Sequence, residues 1–253
     1  MINPAFPNSW KNESKPHKFC PGCGQALALK ALGYAIDELD LAKKMVYGCD
    51  IGCSLLTWDM FNVDTIQTHH GRVIPTIVGF KLARPDSVSV AFLGDGGGYA
   101  IGAQHLVNAA MRNDKITVIL INNANYAMTG GQLAPTTMVG QVTDTTPDGR
   151  KEEMFGNPLH GPEMIAKIAA PGAYIARTTS NNMDDCKAKI KKALQNQIDG
   201  NGFSFVEILS MCPVNWKTNT QESLDFIDKK MVNVFPLGEI SQEGMTNNQI
   251  TNH

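Results

Sequence analysis

A carboxylate and a pair of amides stand at a spacing that suits a hard cation. Gly94-Asp95-Gly96 closes an apolar run from Ser87 to Leu93, and Asn122-Asn123 closes a second run from Ile116 to Ile121, with a helix-like segment between them. A carboxylate oxygen, an amide oxygen and a main-chain carbonyl are ligands that magnesium accepts, usually beside phosphate oxygens and water. The glycines at 94, 96, 97 and 98 would let the backbone approach a diphosphate, and the following helix would turn its positive end toward it. Gly-Asp-Gly alone also marks an ordinary tight turn. The spaced double asparagine is what shifts the reading toward a metal and diphosphate site.

Cysteines form the second reactive set. Cys20 and Cys23 bracket a Cys-Pro-Gly-Cys loop before a helix-like stretch, Cys53 follows Ile51-Gly52, and Cys212 opens a Cys-Pro turn. Loop amides and a helix N-terminus would favour thiolates over thiols at the first pair. Four thiolates suit a tetrahedral zinc ion or an iron-sulfur cluster; spacing alone does not separate these from unrelated buried cysteines.

Positioning these groups requires a parallel sheet. The unit from Ser87 to Ile121 reads as strand, turn, helix and strand, whose crevice lies beyond the strand carboxyl ends. Further strands are expected from Lys44, Phe61, Ala173 and Phe203. Helices are expected over 25–39, with Leu27, Ala31, Tyr34 and Ala35 on one face, and from about Thr68 to Ala83, before Pro85. Others are expected over 161–170, 183–198 and near 221–231. The predicted fold is α/β, a single doubly wound and mostly parallel sheet over 19–212, with an N-terminal arm (1–18) and a C-terminal extension (213–253). The proline-rich arm is of a kind that often rests on another subunit. Residues 125–150, rich in threonine and glycine, form either a binding loop over the crevice or a disordered surface loop. The polar end from Thr246 to His253 is expected to be loose.

Composition narrows the partners. The 253 residues carry a net charge of −2 with no long basic or acidic block, which excludes the usual electrostatics of nucleic-acid or anionic-membrane binding. No apolar run suits a signal peptide or a membrane span, so a cytoplasmic protein is expected. Six cysteines in that setting favour metal or redox chemistry over disulfides.

Taken in order, the Cys-Pro-Gly-Cys-Gly loop, the Ile-Gly-Cys-Ser turn, His-His-Gly-Arg, Gly-Asp-Gly with Asn-Asn, Tyr-Ala-Met-Thr-Gly-Gly-Gln and Cys-Pro-Val-Asn-Trp resemble the thiamine pyrophosphate-binding β subunit of 2-oxoacid:ferredoxin oxidoreductases. The likeness runs from about Cys20 to about Pro236. It implies magnesium held by the side chains of Asp95 and Asn123 and the carbonyl of Asn125. It implies a 4Fe-4S cluster held by Cys20, Cys23, Cys53 and Cys212; Cys49 falls outside the Ile-Gly-Cys-Ser match, and Cys186 reads as an ordinary half-buried residue. Ile51, Gly52, Cys53, Ser54, His70, Gly94, Asp95, Gly96, Gly97, Asn123 and Thr129 would face the cofactor, with His70 as the catalytic residue, near the thiazolium or the substrate carboxylate. Ser54 and Thr129 are also common turn residues, His69 reads as a helix-start neighbour, and Arg72 pairs with an anion or with a surface carboxylate.

The reaction implied is oxidative decarboxylation of a 2-oxoacid to acyl-coenzyme A and carbon dioxide, electrons passing through the cluster to ferredoxin. Some relatives carry a basic residue soon after Ile-Gly-Cys-Ser, whereas here Leu55, Leu56, Thr57 and Trp58 follow. An apolar pocket would favour a branched or aromatic 2-oxoacid over 2-oxoglutarate. The sequence contains no second α/β half to supply the glutamate that engages the aminopyrimidine ring. The resemblance therefore implies a hetero-oligomer with a pyrimidine-binding α subunit, with γ and ferredoxin-like subunits as further candidates. Two other readings are the pyrophosphate-binding subunit of a non-oxidative thiamine-dependent decarboxylase, which would need no converging cysteines, and a non-catalytic zinc- or nucleotide-binding module.

Overall fold

Six parallel strands end along one edge of a sheet, because every crossover after the first returns through a helix packed on a sheet face. The structure is a computed structural model and describes residues 6–246. The parallel strands are β1 (Met45–Cys49), β2 (Asp64–Gln67), β3 (Val88–Gly94), β4 (Thr117–Asn122), β5 (Tyr174–Thr179) and β6 (Ser204–Leu209). β7 (Gly238–Ser241) and β8 (Gly244–Thr246) extend the sheet antiparallel beyond β5, giving the order β2-β1-β3-β4-β6-β5-β7-β8. All six expected strands are present, each starting one to three residues later than expected. The two antiparallel strands are too short to carry a readable alternation.

The helices are α1 (Gly24–Glu38), α2 (Val73–Ala83), α3 (Ala103–Met111), α4 (Glu152–Phe155), α5 (Gly161–Ile168) and α6 (Met183–Ile198), followed by α7 (Pro213–Trp216) and α8 (Thr220–Phe226). α1 and α6 cover one face of the sheet, and α2, α3 and α5 cover the other. Along β4, Ile119 and Ile121 pack toward the first layer while Val118 and Leu120 pack toward the second. With both faces covered, the central strands β3 and β4 read as nearly continuous apolar runs. The buried stripe of α1 includes two of the four residues expected on it, Ala31 and Ala35, both 0% exposed. Ala28, Leu29, Leu32 and Ile36 are at most 1% exposed, whereas Leu27 and Tyr34 lie at its half-buried margin.

Two features tie the periphery to this core. Arg177 of β5 faces Glu207 of β6 in register and is fully buried; its guanidinium bonds Glu207, both oxygens of Glu163 at 2.6 Å and the Pro236 carbonyl at 3.0 Å. The Tyr99 hydroxyl donates to Glu207 at 2.6 Å. After α8, Ile227, Met231 and Phe235 pack on Leu209, Met211, Ala124 and Met138, across the ends of β4 and β6. In the N-terminal segment Trp10 is 3% exposed, the Ser9 amide donates to Asp37 at 2.8 Å, and the Ser9 hydroxyl donates to the Gly33 carbonyl at 3.0 Å. The described part of that segment thus packs on α1 of its own chain. Residues 1–5 and 247–253, including nearly all of the polar end expected to be loose, lie outside the described residues.

Candidate functional site

The chemistry-bearing residues follow directly on adjacent strand ends. Asp50 continues β1, Asp95 continues β3, Asn123 continues β4, and the segment to Cys212 continues β6. The pairs Cys49 with Phe92, Gly94 with Ile121, and Asn122 with Leu209 keep these ends nearly level.

One cavity at this edge gathers the expected cofactor residues. Ile51, Gly52, Cys53 and Ser54 line it from the turn after β1, His70 from the approach to α2, and Gly94, Asp95, Gly96 and Gly97 from the turn after β3. Asn123, Asn125 and Thr129 complete the expected set from the segment after β4. Tyr126, Ala127 and Met128, from the Tyr-Ala-Met-Thr-Gly-Gly-Gln motif, also form its wall, together with Gln25, which no motif role singled out.

Three of the four glycines are also required by packing within the protein. A Cβ at Gly96 would lie 2.2 Å from the Tyr126 ring, one at Gly97 2.1 Å from Oδ2 of Asp50, and one at Gly98 2.4 Å from Leu120. These three make room for the protein's own side chains. Only Gly94 opens outward, with no atom within 4 Å of its would-be Cβ. Gly97 and Gly98 themselves open a wide helical turn, Gly97–Ile101, before α3 begins.

Asp95 is 2% exposed, and burial pushes its carboxyl up to about 7 despite hydrogen bonds from Thr136 and Gly96. Oδ1 accepts the Gly96 amide at 2.8 Å and Oδ2 accepts the Thr136 hydroxyl at 2.6 Å. Oδ1 of Asn123, Oδ1 of Asn125 and Oγ of Ser54 are buried without a hydrogen-bond partner. An unsatisfied buried acceptor costs about 1–3 kcal/mol, which a bound cation or ligand donor would relieve. Together with the open space at Gly94, this donor set fits a divalent cation bound beside a diphosphate. The Asn125 amide nitrogen donates to the Asn123 carbonyl at 3.1 Å. Thr129, although at the cavity, bonds within its own turn to the Tyr126 carbonyl at 3.5 Å and to Gln132 at 2.5 Å.

His70 is half-buried, with Nδ1 3.0 Å from Oδ2 of Asp50, while Oδ1 of Asp50 accepts the Gly71 amide at 2.7 Å. Asp50 is 0% exposed, and burial raises its carboxyl above the usual range although His70 and Gly71 oppose this. The sequence reading missed this aspartate; its position immediately after a strand was the available signal. His69 is exposed, and Arg72, also exposed, donates to the Ile101 carbonyl at 3.2 Å.

Cys20, Cys23, Cys53 and Cys212 line a second cavity with Phe19 and Leu56. It shares Gln25, Cys53, Asn123 and Ala127 with the first. Burial pushes the Cys23 thiol up to about 12, outweighing the Gln25 amide, and the neighbouring Cys212, Cys53 and Cys20 add to the rise. Cys53 is likewise raised to about 12, by burial and then by Cys212, Cys20 and Asp95. Burial at Cys23 thus opposes the thiolate form that the loop amides and helix end were expected to favour. Among the described residues no three histidine, cysteine or acidic side chains close on a single metal ion. Around tetrahedral zinc the sulfurs would stand roughly 3.8 Å apart; here the four line a cavity. Cys49 is fully buried in the core beneath α1, and Cys186 is 1% exposed within α6, more deeply buried than expected.

Comparison with known proteins follows the same lines. Residues 50–208 match the family model described as thiamine pyrophosphate enzyme, C-terminal TPP binding domain. The ketoisovalerate oxidoreductase subunit VorA of Methanothermobacter thermautotrophicus is 36% identical over 222 residues, covering 87% of this chain and 46% of the relative. This chain thus spans about half the length of that protein. The 2-oxoglutarate synthase subunit KorB of Methanocaldococcus jannaschii is 34% identical over 239 residues, covering 92% and 85%. A solved 2-oxoglutarate:ferredoxin oxidoreductase from Magnetococcus marinus, with 2-oxoglutarate, coenzyme A and succinyl-CoA bound, superposes with a TM-score of 0.76 at 31% identity, covering 90% of this chain and 74% of that one. By the family model over more than half of its length and by relatives of this identity and coverage, the chain belongs to the thiamine pyrophosphate enzymes and, among them, to the β-subunit family of 2-oxoacid:ferredoxin oxidoreductases.

Proposed function

We propose that this chain is the cofactor-binding β subunit of an enzyme that oxidatively decarboxylates a 2-oxoacid to acyl-coenzyme A and carbon dioxide, with ferredoxin as electron acceptor. The observation that carries the reading is the shared wall: Gln25, Cys53, Asn123 and Ala127 border both the cavity of cation and phosphate donors and the cavity of four cysteines. In the proposed holo-protein, Asp95, Asn123 and the Asn125 carbonyl hold magnesium, and Cys20, Cys23, Cys53 and Cys212 hold a 4Fe-4S cluster. When bound, thiamine pyrophosphate would supply the carbanion that attacks the 2-oxo carbon, and the cluster a one-electron acceptor. Gly94 leaves space for the diphosphate and the free Ser54 hydroxyl donates to it. His70, oriented by Asp50 through Nδ1, keeps Nε2 to give or take a proton at the substrate.

The relatives' names point to two substrates, ketoisovalerate and 2-oxoglutarate. Leu55 and Leu56 are half-buried behind the Cys53 turn, Leu56 at the four-cysteine cavity, and no basic side chain occupies 55–58. This composition supports a branched 2-oxoacid over a dicarboxylate. Partner subunits, including the pyrimidine-binding one, belong to the proposal. So does a cytoplasmic setting, which suits six unpaired cysteines; among the described residues no helix is long and apolar enough to cross a membrane.

Co-expression with the partner subunits, anaerobic purification, and assay of iron, sulfide and thiamine pyrophosphate test the reading. All three are expected in the complex. Retained thiamine pyrophosphate without iron would favour the non-oxidative decarboxylase, and its absence would overturn the assignment. Faster turnover of 2-oxoglutarate than of 2-oxoisovalerate would overturn the substrate preference.

A further inference from the structure

The long loop between β4 and α5 is organised by a cation whose guanidinium is surrounded by main-chain carbonyls. Arg150 is 5% exposed and donates to Ala134 at 3.4 Å, Pro135 at 3.0 Å and Thr137 at 2.6 Å on one side. On the other it donates to Phe155 at 2.8 Å, Gly156 at 2.9 Å and Asn157 at 2.8 Å. A guanidinium directs five N–H groups in a fixed plane, here with the two on Nη1 shared among the Ala134, Pro135 and Thr137 carbonyls, so this clamp sets two stretches of loop at one separation. Lysine has neither the number of donors nor the planarity to replace it.

Between the first set of clamped carbonyls stands Thr136, fully buried, whose hydroxyl donates to Oδ2 of Asp95 at 2.6 Å. Its neighbour Thr137 donates to the Ala124 carbonyl at 2.7 Å, fastening the same stretch to the segment that carries Asn123 and Asn125. Resting on the magnesium and cofactor reading above, we propose that Thr136 is a positioning residue for Asp95 and that Arg150 holds it in place.

The physical reason is the demand of the ion. Magnesium requires near-ideal octahedral geometry, so a carboxylate free to turn about its Cβ–Cγ bond binds it less well than one already fixed. The Gly96 amide restrains one oxygen of Asp95 and Thr136 the other, leaving the remaining lone pairs for the ion. The loop thus acts on the metal site without touching the metal.

The test uses the assembled complex, stripped with a chelator and titrated with magnesium at saturating thiamine pyrophosphate, with retained cofactor measured after rapid desalting. Thr136→Val, which keeps the shape and loses the hydroxyl, is expected to raise the magnesium concentration for half-maximal retention by roughly 10–100-fold. Thr136→Ser is expected to titrate close to wild type. Arg150→Lys is expected to shift the titration in the same direction as valine and to speed hydrogen exchange across 134–157. A wild-type titration for Thr136→Val, or a serine variant as defective as valine, overturns the proposal. Should the valine chain fail to assemble, Arg150→Lys decides: faster exchange with unchanged magnesium dependence overturns it. If the wild-type complex retains no cofactor at any magnesium concentration, the functional reading itself falls, and this proposal with it.

Discussion

Oδ2 of Asp50 lies 3.0 Å from Nδ1 of His70, and the other oxygen of the same carboxylate is held by the Gly71 amide. The pair fixes the imidazole from behind, so the proton on the cavity side is carried by Nε2 or by nothing. Asp50→Asn keeps the shape and removes the charge. It is expected to lower kcat of the assembled enzyme by about 100-fold while leaving thiamine pyrophosphate retention unchanged. Steady-state kinetics with equilibrium dialysis of the cofactor checks this, and an unchanged kcat would remove His70 from proton transfer.

Two glycines in one turn are expected to respond in opposite ways. Gly97→Ala drives a Cβ to within 2.1 Å of the Asp50 carboxylate and is expected to destabilise the fold by about 1–3 kcal/mol. Gly94→Ala meets no protein atom within 4 Å and is expected to leave the melting temperature unchanged. It should nonetheless weaken thiamine pyrophosphate binding, because the added methyl enters the cavity. Thermal melts and cofactor titrations of both variants separate the two roles; equal melting losses would contradict the assignment of Gly94 to the cofactor.

The cysteines divide into two groups. Replacing Cys20, Cys23, Cys53 or Cys212 by serine is expected to abolish most of the iron and sulfide in anaerobically purified complex. Cys186→Ala and Cys49→Ala, both inside the core, are expected to retain them with a modest loss of stability. Iron loss on changing Cys49 but not Cys53 would redraw the ligand set.

How much of this was legible beforehand depended on where each residue sits along the chain. Asp95, Asn123, Cys53 and Cys212 each adjoin a strand or glycine turn, where a polar residue breaks an apolar run and so declares itself. Asp50 does the same but was passed over between Cys49 and the Ile-Gly-Cys-Ser turn. Thr136 gave no signal, since one hydroxyl in a threonine-rich loop resembles its neighbours and its partner lies 41 residues away. The choice between ordered and disordered states for that loop rested on Arg150, whose six carbonyl partners are invisible without coordinates. The antiparallel pair β7 and β8 was missed for want of length.

The buried charges predict an acid limb. Glu163 loses affinity for its proton: burial alone would raise its pKa from 4.5, but the paired Arg177 more than offsets this. Its contribution to stability is present above the unfolded value of about 4.5 and is lost as pH falls through the lower folded value. Glu163→Gln is expected to flatten denaturant-measured stability below about pH 4.5. Arg177→Met leaves Glu207 buried without its cation and is expected to cost about 3–5 kcal/mol near neutrality. An unaltered acid limb in the glutamine variant would exclude this pair as its source.

The short helix after Cys212 ends in two side chains that reach back across the site. Asn215 donates to the Ala127 carbonyl at 2.9 Å and the Trp216 indole donates to the Asn123 carbonyl at 3.1 Å. One short stretch of backbone therefore carries Cys212, a proposed cluster ligand, and, four residues later, braces the peptide beside a proposed magnesium ligand. Oxidative damage at the sulfur cavity is therefore expected to loosen the proposed cofactor site as well, so that the subunit would lose both proposed occupants together.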